Sequence, residues 1–382
     1  MADFIFRVSP NIILGSYTVT RLGQFACEYG KKYMVILDPM LKEVGSSEKV
    51  LQPLVDRKLD FFIFENITEG ATSRAVEQAL MLARQAHIHG IIAIGGDKAL
   101  CIGKAVAAVF HDSHDFYDFM DGASPSVAPM PLICVPTTIR DPFVFSSNIP
   151  IVDSRSNRTK ILKTQNGICK MVLFDPNLCV TLSENQTKAM AIESLCLATE
   201  AYLSPKATFF SDMIAEKAVE LIGYALDGVP SLTITTPQEI LLSQGGCMAS
   251  LASATASPGA ATLLAMTINA KYRISRALIS SIFFPHIIED HAKFKGEKVA
   301  KLAKLLRAAP ESATNEEASA AFSENIRQRI AQSNLPARLK DLSVSIEQLA
   351  LASEDAGELE LMNFLPKSMT SDDLFDLVKT AF

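Results

Sequence analysis

The sequence predicts a two-domain protein: an α/β domain with a parallel sheet over residues 1–180, then an all-helical domain over residues 181–382. Three observations predict it. The chain of 382 residues is too long for one ordinary hydrophobic core. In its first half, short apolar runs alternate with stretches of 3.6-residue spacing, the pattern of strands buried on both faces and joined by helices. Beyond residue 180 the strand candidates nearly vanish, and Ala-, Leu- and Ser-rich helical stretches take their place.

The elements follow in order. NIILG (11–15) is a short strand, and TRLGQFACEYG (20–30) has helical spacing and stops at Gly30. YMVILD (33–38) and DFFIFENI (60–67) are strands. SRAVEQALMLARQAHIHG (73–90) is an amphipathic helix that Thr72 or Ser73 caps and Gly90 ends. IIAIGG (91–96) is a buried strand leading into a helix that runs to Phe110. MPLICVPTT (130–138) and KMVLFDPNL (170–178) complete the strand candidates. The helical half contains 183–203, opened by Ser183 as N-cap, then 211–226, 237–256, 276–294, 299–309 and 318–334. ESATNEE (311–317) and MTSDD (369–373) are loop and N-cap signals, with Asp372 and Asp373 as first-turn acids.

Composition narrows the function. A hydrophobic content of 48% and a charged content of 20% describe a packed globular protein. The formal net charge of −6 argues against nucleic acid and offers no basic patch to an anionic membrane. The start, MADFIFRVSPNIILGS, lacks the basic and apolar regions of a signal peptide, and no apolar run approaches the ~20 residues of a membrane helix. The seven cysteines are scattered and contain no CxxC pair, so they are expected reduced, in the cytoplasm, with Cys101 the one that can face a ligand.

The stretch AIGGDKALCIGKAVA (93–107) carries the first chemical signal. A strand meets Gly95 and Gly96, and a helix follows. Such a turn lets backbone N–H groups and the helix dipole bind a phosphate, in the manner of a Rossmann-like domain. Asp97 sets a carboxylate near the expected phosphate, and Lys98 offsets it by pairing or contacts phosphate itself. Asp38, at the end of the YMVILD strand, is placed to bond a ribose 2′-hydroxyl. It is equally a turn aspartate before Pro39.

Four segments in chain order carry a resemblance. AIGGDKALCIGKAVA is similar to the AIGGGSAIDTAKAIA-type loop of iron-containing (group III) alcohol dehydrogenases. ICVPTTIRDPFVFSS resembles their IPTTAGTGSE region. FDPNLCVTLSENQTKAMAIESLCLATEAYLS and SRALISSIFFPHIIEDH resemble their DPxLTxxLPxxxxxxxGMDALTHAIEAYxS and PHGxxNAxxLPHVxxFN segments. The resemblance spans roughly residues 10–300 and implies a dehydroquinate synthase-like fold, an NAD or NADP cofactor, and a homodimer.

It also implies site residues. The cofactor residues are Asp38, Gly95, Gly96, Asp97, Lys98, Lys104, Thr137 and Thr138. In place of the family's small Ala-Gly-Thr-Gly run stand Ile139, Arg140, Asp141 and Pro142. The family holds iron or zinc between its domains with one Asp and three His. Those positions fall on Glu193, Leu197, Thr262 and Arg276, and a further family histidine falls on Met266. A bound catalytic metal is therefore not expected, and a Glu193–Arg276 charge pair is expected to stand in its place. Arg276, Lys160, Glu193 and His286 are the candidate catalytic residues.

Three functional readings follow. The first is a metal-free oxidoreductase that reduces a small carbonyl substrate, an anionic one if Arg276 and Arg140 both face it. The second is a non-catalytic relative with a repurposed site. The third is a dehydroquinate synthase-like lyase acting on a phosphorylated sugar.

Overall fold

The computed structural model describes residues 10–67, 69–164, 168–179, 182–227 and 236–382. The expected boundary residues 180 and 181 lie outside the described residues. The chain divides into two compact units, Met1–Thr181 and Leu182–Phe382.

The first unit is built on a parallel sheet. Its strands are β1 (Asn11–Leu14), β2 (Lys32–Leu37), β3 (Asp60–Phe64), β4 (Gly90–Gly95), β5 (Leu132–Pro136) and β8 (Cys169–Phe174), in the order β1-β8-β5-β4-β2-β3. Every neighbouring pair is parallel. β4 and β5 are buried along their whole length, which is why their sequences are continuous apolar runs rather than alternating ones. The helices are α1 (Leu22–Ala26), α2 (Met40–Glu43), α3 (Ser47–Asp56), α4 (Ser73–Gln85), α5 (Asp97–Val109), α6 (Phe116–Met120) and α7 (Pro176–Cys179). Thr72 caps α4, its side chain accepting from the Ala75 N–H.

The two sheet faces are covered by different helices. Tyr33, Val35 and Leu37 of β2, with Ile92 and Ile94 of β4, pack into one core with Leu22 and Phe25 of α1 and Val50 and Leu54 of α3. The opposite face receives α5. A Cβ added at Gly103 would lie 2.6 Å from Ala93 Cβ, so this glycine lets α5 press directly on β4. The helices after β2 and after β4 thus leave to opposite faces, and a crevice opens between these adjacent strand ends. Open α/β sheets bind ligands at such a switch point.

One pair of strands was not expected. β6 (Asn148–Asp153) and β7 (Arg158–Lys163) form an antiparallel hairpin. Pro150 inside the first strand and the polar DSRSNRT turn hide it from a periodicity reading.

The second unit contains, among the described residues, only helices and turns. They are α8 (Glu184–Leu203), α9 (Phe209–Asp227), α10 (Gln238–Thr255), α11 (Ala260–Tyr272), α12 (Arg276–Leu305), α13 (Asn315–Gln332), α14 (Ile346–Gly357) and α15 (Ser371–Ala381). Ser183, Thr314 and Thr370 cap α8, α13 and α15 through reciprocal bonds with Gln186, Glu317 and Asp373. The segments expected as separate helices at 276–294 and 299–309 are joined in α12, with a break at Lys295 (φ −132°, ψ 35°). α11 was not foreseen: Ala260 to Ile268 are all buried, so no polar face marks its period, and its N-cap is Gly259. No single helix among the described residues is long and apolar enough to cross a membrane. α10 and α11 reach that composition only together, across a bend of 101°.

The close approach of α5 gives a test. Gly103→Val is expected to cost about 1–3 kcal/mol by overpacking, lowering the unfolding temperature by several degrees in a thermal scan. An unchanged unfolding temperature would mean that α5 does not sit on β4 as described.

Candidate functional site

The expected nucleotide residues gather at the carboxyl ends of β2, β4 and β5. The Asp38 N–H donates to Ile94 O at 2.9 Å, and the Thr137 N–H donates to Gly95 O at 3.0 Å. Gly95 has φ +151°, and a Cβ there would fall 2.6 Å from Asp38 Cβ, so the chain end of β4 lies directly against Asp38. Gly96 is the N-cap of α5, and a Cβ there would meet only Thr138 Cγ2, at 3.8 Å. The first-turn N–H groups of α5 have no intrahelical acceptor and point outward from this end. Asp97 is half-buried in that first turn, and Lys98 is exposed beside it.

Some expectations need correction. Lys104 does not face the strand ends. It is buried, and its ammonium donates to the Phe143 carbonyl and to Ser146 O at 2.6 Å. It ties α5 to the segment after β5 and positions that segment from beneath. Cys101 is buried in α5 rather than open to a ligand. The Thr138 hydroxyl donates within its own loop, to Arg140 O at 2.7 Å. Ile139, Arg140 and Asp141 are buried, and the Phe143 N–H donates to Asp141 Oδ1 at 2.9 Å.

Lys160 lies on β7. Its ammonium pairs with Asp153 at 2.9 Å and Asp121 at 3.1 Å. Arg155 joins the same two carboxylates at 2.8 and 2.7 Å. These cations hold Asp121 down at about 2, and Asp153 lower still, while the carboxylates raise Lys160 above its ordinary value. Lys160 is thus a committed cation and no general base.

The second unit places Glu193, Leu197 and Glu200 on one face of α8, spaced i, i+4, i+7. All three are buried. Glu200, which sequence reasoning missed, organises this face. Its carboxylate accepts from Gly259 N at 3.0 Å, Ala261 N at 2.7 Å, Thr262 N at 3.4 Å and Thr262 Oγ1 at 2.6 Å. It therefore caps the N-terminus of α11 from a neighbouring helix, with the sign the helix dipole favours. Burial raises its carboxyl above the ordinary value, and these donors offset that only in part. A Cβ at Gly259 would fall 2.5 Å from Glu200 Cδ, so no larger residue fits. A buried acid facing a glycine-started helix was the readable signal.

Arg276 is buried at the first turn of α12. α12 runs alongside α8: Ser281 Oγ donates to Ala189 O at 3.5 Å, and Lys298 Nζ donates to Tyr202 O at 2.9 Å. His286 does not lie beside Arg276. It lies ten residues beyond Arg276, about 15 Å along the helix, beside Arg327 and Glu289, and burial lowers its imidazole below its ordinary value.

Comparison with known proteins now bears on this geometry. Residues 9–176 match the family described as iron-containing alcohol dehydrogenase, and residues 187–382 match the Fe-containing alcohol dehydrogenase family, C-terminal. The chain belongs to the iron-containing alcohol dehydrogenase family. Lactaldehyde reductase of Escherichia coli (strain K12) is 23% identical over 355 residues, 92% of each chain. The NAD-dependent methanol dehydrogenase of Bacillus methanolicus is 22% identical, over 98% of this chain and 99% of that protein. Among solved structures, a 1,3-propanediol oxidoreductase superposes with a TM-score of 0.91 at 19% identity over 100% of both chains. The alcohol dehydrogenase from Oenococcus oeni gives 0.89 at 17% identity, also over 100% of both. The expected dehydroquinate synthase-like architecture, a parallel α/β unit followed by a helical one, is the one observed.

The family's metal positions can be tested against these side chains. Leu197 has no donor atom. The Thr262 hydroxyl is engaged by Glu200. Arg276 is a buried cation, which repels a metal ion and never loses its proton at working pH. Only Glu193 offers a ligand, and among the described residues no group of three or more His, Cys, Asp or Glu is arranged to hold a metal. At the positions that the resemblance gives to the metal, this donor set does not fit a divalent cation.

The Glu200 cap gives a test within the second unit. Glu200→Ala leaves the first donors of α11 buried and unmet, and is expected to cost at least about 3 kcal/mol in denaturant unfolding. A loss below about 1 kcal/mol would contradict the cap.

Proposed function

We propose that this chain is a nicotinamide-dependent oxidoreductase that reduces a small carbonyl compound without a catalytic metal. One observation supports the reading: a glycine-started helix N-terminus that suits a phosphate lies at the strand ends of the first unit, while an arginine, a leucine and an engaged threonine stand where the resemblance puts metal donors. Family membership and the activities named for the relatives above support the oxidoreductase class.

The strand-end residues fit a dinucleotide. The α5 N-terminus and the open space at Gly96 suit a pyrophosphate, with Lys98 as an added cation. Asp38 suits a ribose 2′-hydroxyl and disfavours a 2′-phosphate, so NAD is expected over NADP. The bound cofactor supplies the hydride. Arg276 stabilises the carbonyl oxygen as negative charge develops there, the task a metal performs elsewhere in the family. Glu193, buried on α8, balances that cation. An arginine at this place also favours a substrate with its own anionic group.

A second reading, a non-catalytic relative, is favoured by the loop after β5. Bulky Ile139 and Arg140 are buried there, and the Thr138 hydroxyl is turned onto its own loop.

NADH fluorescence titration with and without chelator, followed by aldehyde reduction with lactaldehyde as the first substrate, separates the two. The oxidoreductase reading expects NADH binding and turnover unaffected by chelator. It also expects Arg276→Met to lower kcat by about 100-fold or more, with NADH affinity unchanged. Absence of NADH binding would favour the non-catalytic reading, and loss of activity on chelation would overturn the metal-free mechanism.

A further inference from the structure

The first unit carries a groove that the proposed reaction does not use. It has a volume of about 530 Å³, within the range of small-molecule sites, and runs between α4 and the segment joining α5 to α6. Glu77, Met81 and Arg84 line it at spacing i, i+4, i+7, which sets them on one face of α4. Glu77 and Arg84 are thus about 10 Å apart along the helix axis. The exposed Met81 side chain stands between them, and Leu80 and Phe116 add to the apolar wall.

The two ends of the groove carry opposite charge. At one end, half-buried Glu77 lies near Asp115. Burial, and then the Asp115 charge, raise the Glu77 carboxyl above its ordinary value, while the Tyr117 hydroxyl, Arg155 and Arg74 oppose them. Arg155 is already paired with Asp121 and Asp153. Asp118 adds a carboxylate, which accepts from the Asp115 N–H at 3.2 Å. Three acids here thus outnumber the one remaining arginine, Arg74. At the other end, Arg84 Nε donates to Phe110 O at 3.0 Å, and its Nη2 to Val109 O at 2.9 Å and Asp112 O at 2.6 Å. These acceptors are neutral carbonyls at and beyond the end of α5. They fix the guanidinium without cancelling its charge, and the two N–H donors on Nη1 remain for a ligand. The Asp112 carboxylate is matched by the His114 ring instead: His114 Nδ1 lies 2.5 Å from Asp112 Oδ1, and the carboxylate holds the imidazole above its ordinary value.

We propose that this groove binds an extended zwitterion, a small molecule with an amine at one end and a carboxylate at the other. Glu77 and Asp115 hold the amine, Arg84 holds the carboxylate, and the alkyl chain lies along Met81 and Phe116. An α-amino acid, whose two charges sit on one carbon, is too short to reach both ends. The site shares no residue with the proposed cofactor site or with Arg276, so it stands whether or not the chain is an oxidoreductase.

The probe is 6-aminohexanoate, titrated calorimetrically into the full chain, with hexylamine, hexanoate and leucine as comparisons. Saturable 6-aminohexanoate binding is expected, with half-saturation below about 5 mM, which a ligand of about nine non-hydrogen atoms can reach. Each comparison is expected to bind at least about threefold more weakly, because each loses the contact at one end. Glu77→Gln and Asp115→Asn remove charge from the amine end, and Asn caps a helix as well as Asp does. Each is expected to weaken 6-aminohexanoate at least about threefold, with hexanoate binding and the unfolding temperature unchanged. No saturable binding of 6-aminohexanoate, or equal binding by both variants, would overturn the proposal. Hexylamine or hexanoate binding as tightly as 6-aminohexanoate would overturn the two-ended match, and leucine doing so would overturn the extended spacing. Variants that weaken hexanoate by the same factor would overturn the assignment of the amine to Glu77 and Asp115.

Discussion

The second unit depends on one buried carboxylate. Glu200 has nearly no contact with solvent, and an ion in that position is tolerated only where donors surround it. The N-terminus of α11 supplies those donors, and the requirement fixes much else. Gly259 must stay a glycine, because the carboxylate occupies the space of a side chain. Thr262 must turn its hydroxyl toward α8, which removes it from any other role. Glu193 and Leu197, on the same face of α8, then stand near an already satisfied acid rather than around an open ligand position. Cys196, beside both acids, is kept a neutral thiol by burial and by their charge.

The first unit rests on a different constraint, the meeting of two adjacent strand ends whose helices diverge. Gly95 and Asp38 are brought together because β2 and β4 are paired, with Leu37 opposite Ile94. Gly103 lets α5 lie close enough to the sheet for its N-terminus to reach that crevice. Lys104, one residue on, fixes the segment after β5 through two carbonyls. A lysine that sequence similarity assigns to the cofactor thus acts as a support for the loop that borders it. On the proposed reading, nucleotide binding has been kept by backbone geometry, and the substitutions have accumulated in side chains.

Much of this was legible in the sequence, for physical reasons. Strands buried on both faces leave continuous apolar runs, so β2, β4, β5 and β8 were visible, and Ser and Thr caps marked the starts of α4, α8, α13 and α15. The β6–β7 hairpin was not, because a proline and a polar turn break its pattern. α11 was not, because a helix buried on all sides has no polar stripe. At the site, the glycines announced the turn at β4. The direction of Lys104 could not be read, since Ala99 to Val109 of α5 are buried together and no apolar face distinguishes one side of that helix from another. The ion pairs of Lys160 could not be read for a related reason. Asp153 lies 7 positions away across the hairpin, and Asp121, 39 positions away, comes from the end of α6.

The most direct test of the account is a metal-binding measurement on the intact chain. The protein would be dialysed anaerobically against Fe(II), and separately against Zn(II), then analysed for bound metal and for its unfolding temperature. With Leu197 and Arg276 at two positions that the resemblance gives to ligands, and Thr262 held by Glu200, the account predicts well under about 0.1 metal ion per chain at micromolar free metal, with no shift in unfolding. One ion per chain, with unfolding raised by several degrees, would contradict it. That result would mean that Glu193 and its neighbours rearrange to build the site that their present contacts exclude.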